Sequence, residues 1–186
     1  MKDKVRVLVV VADGTEDIEA TVVIDLLRRA NFEVTVAGTS EVVAFARGLK
    51  VLPDTLLEEV PENANFDLIY LPGGAKGVEN LSQNAHLEKI LKEAKNHSRW
   101  ISAICAAPLL LHKFEILQDN DKITSHPSVR HYLDIYHYTE EMVVVSGKII
   151  TSRGAGTSIP FALKIIELLA GKELSDKIAT DIVYKS

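Results

Sequence analysis

The chain has 186 residues, 47% hydrophobic and 25% charged, a balance that supports a sizeable packed core and leaves no room for long disordered tracts. Its net charge of −5 and its dispersed Lys and Arg argue against a nucleic-acid partner, which needs a concentrated basic surface. A single cysteine excludes an internal disulfide and suits a reducing, cytoplasmic setting, and no membrane span or signal peptide is expected, because the first apolar run stops at Asp13-Gly14 and no basic segment with a cleavage site precedes it.

Residues 5–12 (VRVLVVVA) are nearly continuous β-branched hydrophobe, as a central parallel strand covered on both faces requires. Beyond Asp13-Gly14, Ile18, Val22, Leu26 and Ala30 recur every four residues beside Val23 and Leu27, which predicts a helix with Thr15 as its N-cap. Residues 32–37 (FEVTVA) supply the next strand and complete a β-α-β unit. Residues 42–45 and 49–52 predict a small hairpin or a pair of edge strands. Residues 66–71 (FDLIYL) read as a strand running into Pro72-Gly73-Gly74, and Leu87, Ile90, Leu91 and Ala94 mark another amphipathic helix. A strand over 99–104 ends at Cys105, and 143–145 and 149–151 predict short late strands. A final helix is expected over 157–170, with Pro160 in its first turn and Gly171 as its stop. No repeat, low-complexity tract or linker breaks the alternation. The expected fold is therefore one α/β domain over 1–186, a doubly wound, mostly parallel sheet sandwiched by helices.

Cys105 sits where the strand pattern gives way to small and then aliphatic residues. A strand turning directly into a helix lifts such a side chain out of the sheet as a nucleophile elbow, and the first helical amides favour its thiolate. The same sequence also suits a cysteine that only fills core space. Ligands of doubly wound folds sit beyond the carboxyl ends of the strands, and 13–19, 72–74 and 105–108 all fall just past predicted strand ends. That coincidence favours a reactive Cys105.

Glu16, Asp17 and Glu19 occupy the start of the first helix, where acids complement the helix dipole without further duty. Glu19 is also placed to turn toward the thiol, and a carboxyl that keeps its proton there would donate to sulfur and exchange protons with it. Gly73-Gly74 is either a plain tight turn or, with the N–H of Ala106, a set of backbone donors for an oxyanion. His126, in Ser125-His126-Pro127, is a candidate base or proton shuttle for Cys105, whereas His86, His97, His112, His131 and His137 read as solvent-facing. Arg153, within 151–157 (TSRGAGT), suits an anion, a second subunit or a capping loop. No His and Cys spacing fits a metal site and no GxGxxG or Walker pattern occurs, so neither metal nor cofactor is expected.

Taken together, residues 12–19 (ADGTEDIE), 71–74 (LPGG), 103–108 (AICAAP), 125–127 (SHP) and 151–157 resemble the ThiJ/PfpI superfamily, in the branch of the human Parkinson-linked protein deglycase. The resemblance spans essentially the whole chain. It implies a flavodoxin-like homodimer in which Cys105 is nucleophile and oxidation sensor, Glu19 is protonated against it, His126 lies nearby, and Gly73, Gly74 and Ala106 supply backbone donors. It also implies an anion or dimer site shared by Arg47 and Arg153. The implied activities are glutathione-independent glyoxalase, repair of glycated proteins, and redox-dependent chaperoning, with small 2-oxoaldehydes or glycated proteins as partners. Nucleic acid enters only as a glycated substrate. Two departures matter. Ala106 stands where the protease-like branch has a histidine, which removes the proteolytic triad. Phe45 and Leu52 occupy the edge-strand region where the human protein has further cysteines, so any redox behaviour rests on Cys105. A third change, Ala155 in place of the usual proline, has no clear consequence. Two functions of different class remain, a cysteine-dependent glyoxalase or deglycase and a redox sensor that alters partner binding when Cys105 oxidises.

Overall fold

Residues 4–185 are described by a computed structural model. In chain order its elements are β1 (Arg6–Val11), α1 (Asp17–Arg29), β2 (Glu33–Gly38), β3 (Val43–Ala44), β4 (Lys50–Val51), β5 (Thr55–Leu56), β6 (Leu68–Leu71), α2 (Ala75–Leu81), α3 (Ala85–Asn96), β7 (Trp100–Ile104), α4 (Pro108–Lys113), β8 (Lys122–Ile123), β9 (His137–Tyr138), β10 (Val143–Ser146), β11 (Ile149–Ser152), α5 (Ser158–Ala170) and α6 (Lys172–Asp181). Seven strands form one sheet in the order β10-β11-β7-β6-β1-β2-β5, parallel except where β10 pairs antiparallel with β11. The hairpin expected over 42–52 is the separate β3–β4 pair.

The strand period of two sends alternate residues of β1 to opposite faces. Val7, Val9 and Val11 pack with Val23, Leu26 and Leu27 of α1, Phe161 and Ile165 of α5, and Ile178 of α6. Leu8 and Val10 pack with Val78 and Leu81 of α2, Leu87 and Leu91 of α3, and Leu110 and Leu111 of α4. Both faces are dry, which explains the unbroken β-branched run. Strand order reverses at β1, which lies between β2 and β6, and the loops leaving the carboxyl ends of β1, β6 and β7 meet there. Among the described residues no helix is long and apolar enough to cross a membrane.

Several expectations are corrected. The buried stripe of α1 carries Glu19, Ala20, Val23, Leu26 and Leu27, while Ile18 is 50% exposed. A strict spacing of four drifts off a face that turns 100° per residue, so Ile18 falls on the flank. Gly171 does end α5, but it also opens α6, so α5 is not the final helix. Helix α2, which follows Gly74 directly, has too few apolar positions to announce itself. His86 and His112 are half-buried rather than solvent-facing: His86 Nε2 lies 2.7 Å from the Val60 carbonyl, and His112 Nδ1 lies 2.9 Å from the Tyr136 hydroxyl.

Candidate active site

The first wall of the site is the turn from β1 into α1. Thr15 does not cap the helix; its Oγ1 accepts from the Ala12 N–H at 3.0 Å and closes the turn. Glu16 is the cap, with Oε2 accepting from the Glu19 N–H at 2.9 Å. The Glu16 N–H in turn donates to the Gly73 carbonyl at 3.0 Å, which ties α1 to the loop after β6. Glu19 consequently points inward and has no solvent exposure. The Tyr70 hydroxyl, buried on β6, donates to the Glu19 carbonyl at 2.8 Å and fixes that first turn.

The second wall is Pro72-Gly73-Gly74. The Gly73 N–H donates to Glu19 Oε2 at 2.8 Å, so of the three expected backbone donors this one is already engaged. Gly74 has φ +95, and a Cβ there would collide with the Gly14 carbonyl and come within 2.6 Å of the Glu16 nitrogen. Only glycine combines that φ with that approach.

The third wall is the corner after β7. Cys105 has φ 65, a left-handed conformation that costs a non-glycine residue of order 1–3 kcal/mol and needs support from its surroundings. The support is main-chain: the Cys105 N–H donates to the Ser152 carbonyl at 3.0 Å, and the Cys105 carbonyl accepts from the His126 N–H at 2.8 Å. The thiol is thereby held at the corner, partly exposed, with the N–H groups of Gly74 and Ala106 directed at sulfur. Helix α4 begins only at Pro108 and spans six residues, so these two turn amides, rather than a helix dipole, serve the sulfur.

The electrostatics couple the two side chains. Burial lifts Glu19 to about 7, against hydrogen bonds from the thiol and the Gly73 N–H that pull it down. Its Oε2 accepts from the Gly73 N–H, while its buried Oε1 has no hydrogen-bond partner. Burial and the Glu19 carboxylate push the Cys105 thiol up to about 12, against the Gly74 and Ala106 amides. With Glu19 ionised, this reverses the depressed thiol expected of an elbow. Two of the three causes that raise the thiol belong to Glu19, and both depend on where the proton sits.

His126 meets the site through its backbone. Its imidazole is exposed and caps the turn over Pro127–Tyr132, with Nδ1 2.8 Å from Ser128 Oγ and accepting from the Ser128 N–H at 3.2 Å. Arg153 directs its guanidinium at Glu140, donating to the main-chain carbonyl at 3.0 Å and lying 3.8 Å from the carboxylate. Arg47 sits beside the start of α1, its N–H donating to Asp17 Oδ2 at 2.8 Å. Sequence reading missed Tyr70 and Ser152. The available signal for Tyr70 was a phenol inside a wholly apolar strand, where a buried hydroxyl needs a partner; the Ser152 carbonyl acts through the main chain and leaves no mark in the residue type.

Comparison with known proteins shows the family and the fold. Residues 5–168 match the DJ-1/PfpI family model. The Parkinson disease protein 7 homolog of Danio rerio is 37% identical over 185 residues, 97% of each chain. A protein of Caenorhabditis elegans named glutathione-independent glyoxalase DJR-1.2 is 36% identical over 169 residues, 89% of each chain. Among solved structures, Drosophila melanogaster DJ-1beta superposes with a TM-score of 0.94 at 37% identity, covering 99% of this chain and 100% of its own. Oxidised Toxoplasma gondii DJ-1 follows at 0.92 and 41%, covering 98% and 100%. The chain belongs to the DJ-1/PfpI family.

Proposed function

We propose that this protein is a cofactor-independent glyoxalase that converts methylglyoxal or glyoxal, free or as early protein adducts, to 2-hydroxy acids through Cys105. The observation that carries this reading is Glu19, an unexposed carboxyl lifted to about 7 by burial and hydrogen-bonded to the Cys105 thiol. Above about 7 the pair retains one proton. Placed on Glu19, that proton gives sulfur three donors, the Gly74 and Ala106 amides and the carboxyl O–H; placed on sulfur, it leaves a buried carboxylate with the Gly73 N–H alone. The first arrangement is the reactive one.

The thiolate adds to the aldehyde carbon, and the new oxyanion takes the Glu19 proton, giving a hemithioacetal. The Glu19 carboxylate then removes the hydrogen from that carbon and returns it to the neighbouring carbonyl carbon, while the hydroxyl proton passes to the neighbouring oxygen. The product is a 2-hydroxyacyl thioester on Sγ. Water cleaves it: hydroxide goes to the acyl group, the remaining proton to Glu19, and the thiolate leaves. The net change is oxoaldehyde plus water to 2-hydroxy acid. Because Cys105 itself supplies the adding thiol, no external thiol is needed, in keeping with the name of the Caenorhabditis relative.

The test is multiple turnover of free methylglyoxal to lactate by purified protein, run beside a preformed glycated peptide. Turnover abolished by Cys105→Ser supports the proposal, and action on the peptide faster than its release of free methylglyoxal would extend it to deglycation. No turnover in the wild type, with partner binding that changes on oxidation, would favour the sensor reading. That second reading has its own support in a partly exposed lone thiol facing two amides.

We also propose a homodimer. Ile18 on α1 and Leu49 and Leu52 beside β4 are 50%, 43% and 78% exposed, and the Leu49 N–H donates to Asp17, so these apolar side chains share one neighbourhood. An anion site between Arg47 and Arg153 belongs to this dimer proposal.

A further inference from the structure

We infer that Tyr70 is a positioning residue for the Cys105–Glu19 pair: its buried hydroxyl holds the first turn of α1 so that the pair's proton stays on Glu19 and sulfur stays a thiolate. The catalytic meaning of this role rests on the glyoxalase reading, whereas the role itself is measured on Cys105 without turnover.

Tyr70 lies within β6 and has no solvent exposure. A phenol buried in an apolar strand is strongly disfavoured unless its O–H finds a partner. Here the partner is the Glu19 main-chain carbonyl, at 2.8 Å. That carbonyl lies inside α1, where the helix ladder already supplies a donor from four residues on. The phenol's bond uses the second lone pair and is not needed to satisfy the carbonyl; it ties the first turn of α1 to β6. Three residues along the same segment, the Gly73 N–H donates to Glu19 Oε2 at 2.8 Å. Glu19 is thus gripped at its main chain and at its carboxyl by one stretch of chain. The Tyr70 ring is set in turn by Phe161 of α5, with ring centroids 5.7 Å apart.

The grip matters because burial is what lifts the Glu19 carboxyl to about 7. Without the hydroxyl, the first turn of α1 is free to draw back from β6, water reaches the carboxyl, and its ionised form is less disfavoured. The proton then passes to sulfur, where an ionised Glu19 holds the thiol up. Tyr70 does not titrate with the pair. Burial first, then the charges of Glu19 and Cys105, push its phenol well above the ordinary range, so it remains a donor throughout. Glu16 also raises Glu19, and its Oε2 is fixed on the Glu19 N–H. The other neighbouring charges are engaged elsewhere: Asp13 accepts from the Ala44 N–H, and Asp17 from the Arg47 and Leu49 N–H groups. On α5, Lys164 pairs with Glu167 at 2.7 Å, and the His126 imidazole is turned to Ser128.

The experiment measures the rate of Cys105 alkylation by iodoacetamide against pH in the wild type, Tyr70→Phe, Glu19→Gln and the double variant. Tyr70→Phe keeps the ring against Phe161 and removes only the O–H. Its midpoint should lie about one pH unit or more above that of the wild type, which is about tenfold less thiolate at any pH below the midpoint. In the Glu19→Gln background, where no proton can be misplaced, the same change should leave the midpoint where it is. Phe161→Leu, which loosens the ring without touching the hydroxyl, should lower Tm and leave the midpoint unmoved. An unchanged midpoint in Tyr70→Phe, an equal shift in both backgrounds, or an equal shift in Phe161→Leu overturns the role. Methylglyoxal turnover is followed in parallel. Its absence, with the alkylation shifts as expected, removes the glyoxalase reading and leaves the role of Tyr70 standing.

Discussion

The Gly73 N–H donates to Glu19 Oε2 at 2.8 Å, and the same glycine has no room for a side chain: a Cβ there would lie 2.5 Å from that oxygen and 2.6 Å from Cys105 Cβ. One backbone position thus sets the separation of the two reacting groups. Gly73→Ala must push them apart, at a cost of about 1–3 kcal/mol from overpacking. It should fold with a lowered Tm and lose nearly all turnover, whereas Gly48→Ala, with open space around it but a positive φ, should lose some stability and no activity. Thermal melts beside kcat measurements separate these outcomes.

Glu19→Gln keeps an acceptor for Gly73 and a donor for sulfur but cannot move a proton. Turnover should fall by about 10²–10⁴, the usual contribution of a positioned acid–base group. Alkylation of Cys105, which needs only the thiolate, should persist. A variant that loses both would mean that Glu19 holds the fold rather than the proton.

The same group makes stability pH-dependent. Burial raises the Glu19 carboxyl from 4.5 to about 7 on folding, so between those values the folded state binds the proton that the unfolded chain has released. Stability is then greatest below about 4.5, as far as this group is concerned, and declines as pH rises through 7. The loss is on the order of 3 kcal/mol. Denaturant unfolding of wild type and Glu19→Gln at pH 5 and pH 8 should show the variant gaining on the wild type at the higher pH.

Much of the fold was legible because the strands that bury both faces must be continuously apolar and the helices between them must be amphipathic. That reading located β1, β2, β6, β7, α3 and α5. It failed where the signal is weak: β5, β8 and β9 are two residues each, and α2 contains Gly77 and few apolar side chains. At the site, Cys105 and Glu19 were visible as residue types at strand ends. The partner of each N–H was not. Glu16 rather than Thr15 caps α1, and Gly73 serves Glu19 rather than an oxyanion, because both outcomes depend on which loop the reversal of strand order brings alongside.

The dimer proposal places Leu52 at a subunit contact. Leu52→Asp puts a charge on an exposed residue and should leave the protomer folded. Sedimentation at micromolar concentration should show a dimer for the wild type and a monomer for the variant. A monomeric wild type would refute the dimer and the shared Arg47–Arg153 site.

Peroxide should add two oxygens to Cys105. A partly exposed thiolate is the species it attacks, and with no second cysteine the sulfenic form has no internal route to a disulfide. The Gly74 and Ala106 amides and the Glu19 carboxyl are placed to hold the new oxygens. Intact mass and peptide mapping should find a sulfinate at Cys105 and lost turnover; oxidation at Met142 alone would show an inert thiol.

The proposed catalysis depends on the reactive form of the pair carrying its proton on Glu19, and the rate of Cys105 alkylation as a function of pH reads its position. With the proton on Glu19, reactivity should reach its plateau with a midpoint below the ~8.5 of an ordinary thiol. A rate still climbing above pH 10, as a thiol held near 12 by burial and an ionised Glu19 demands, would contradict the account.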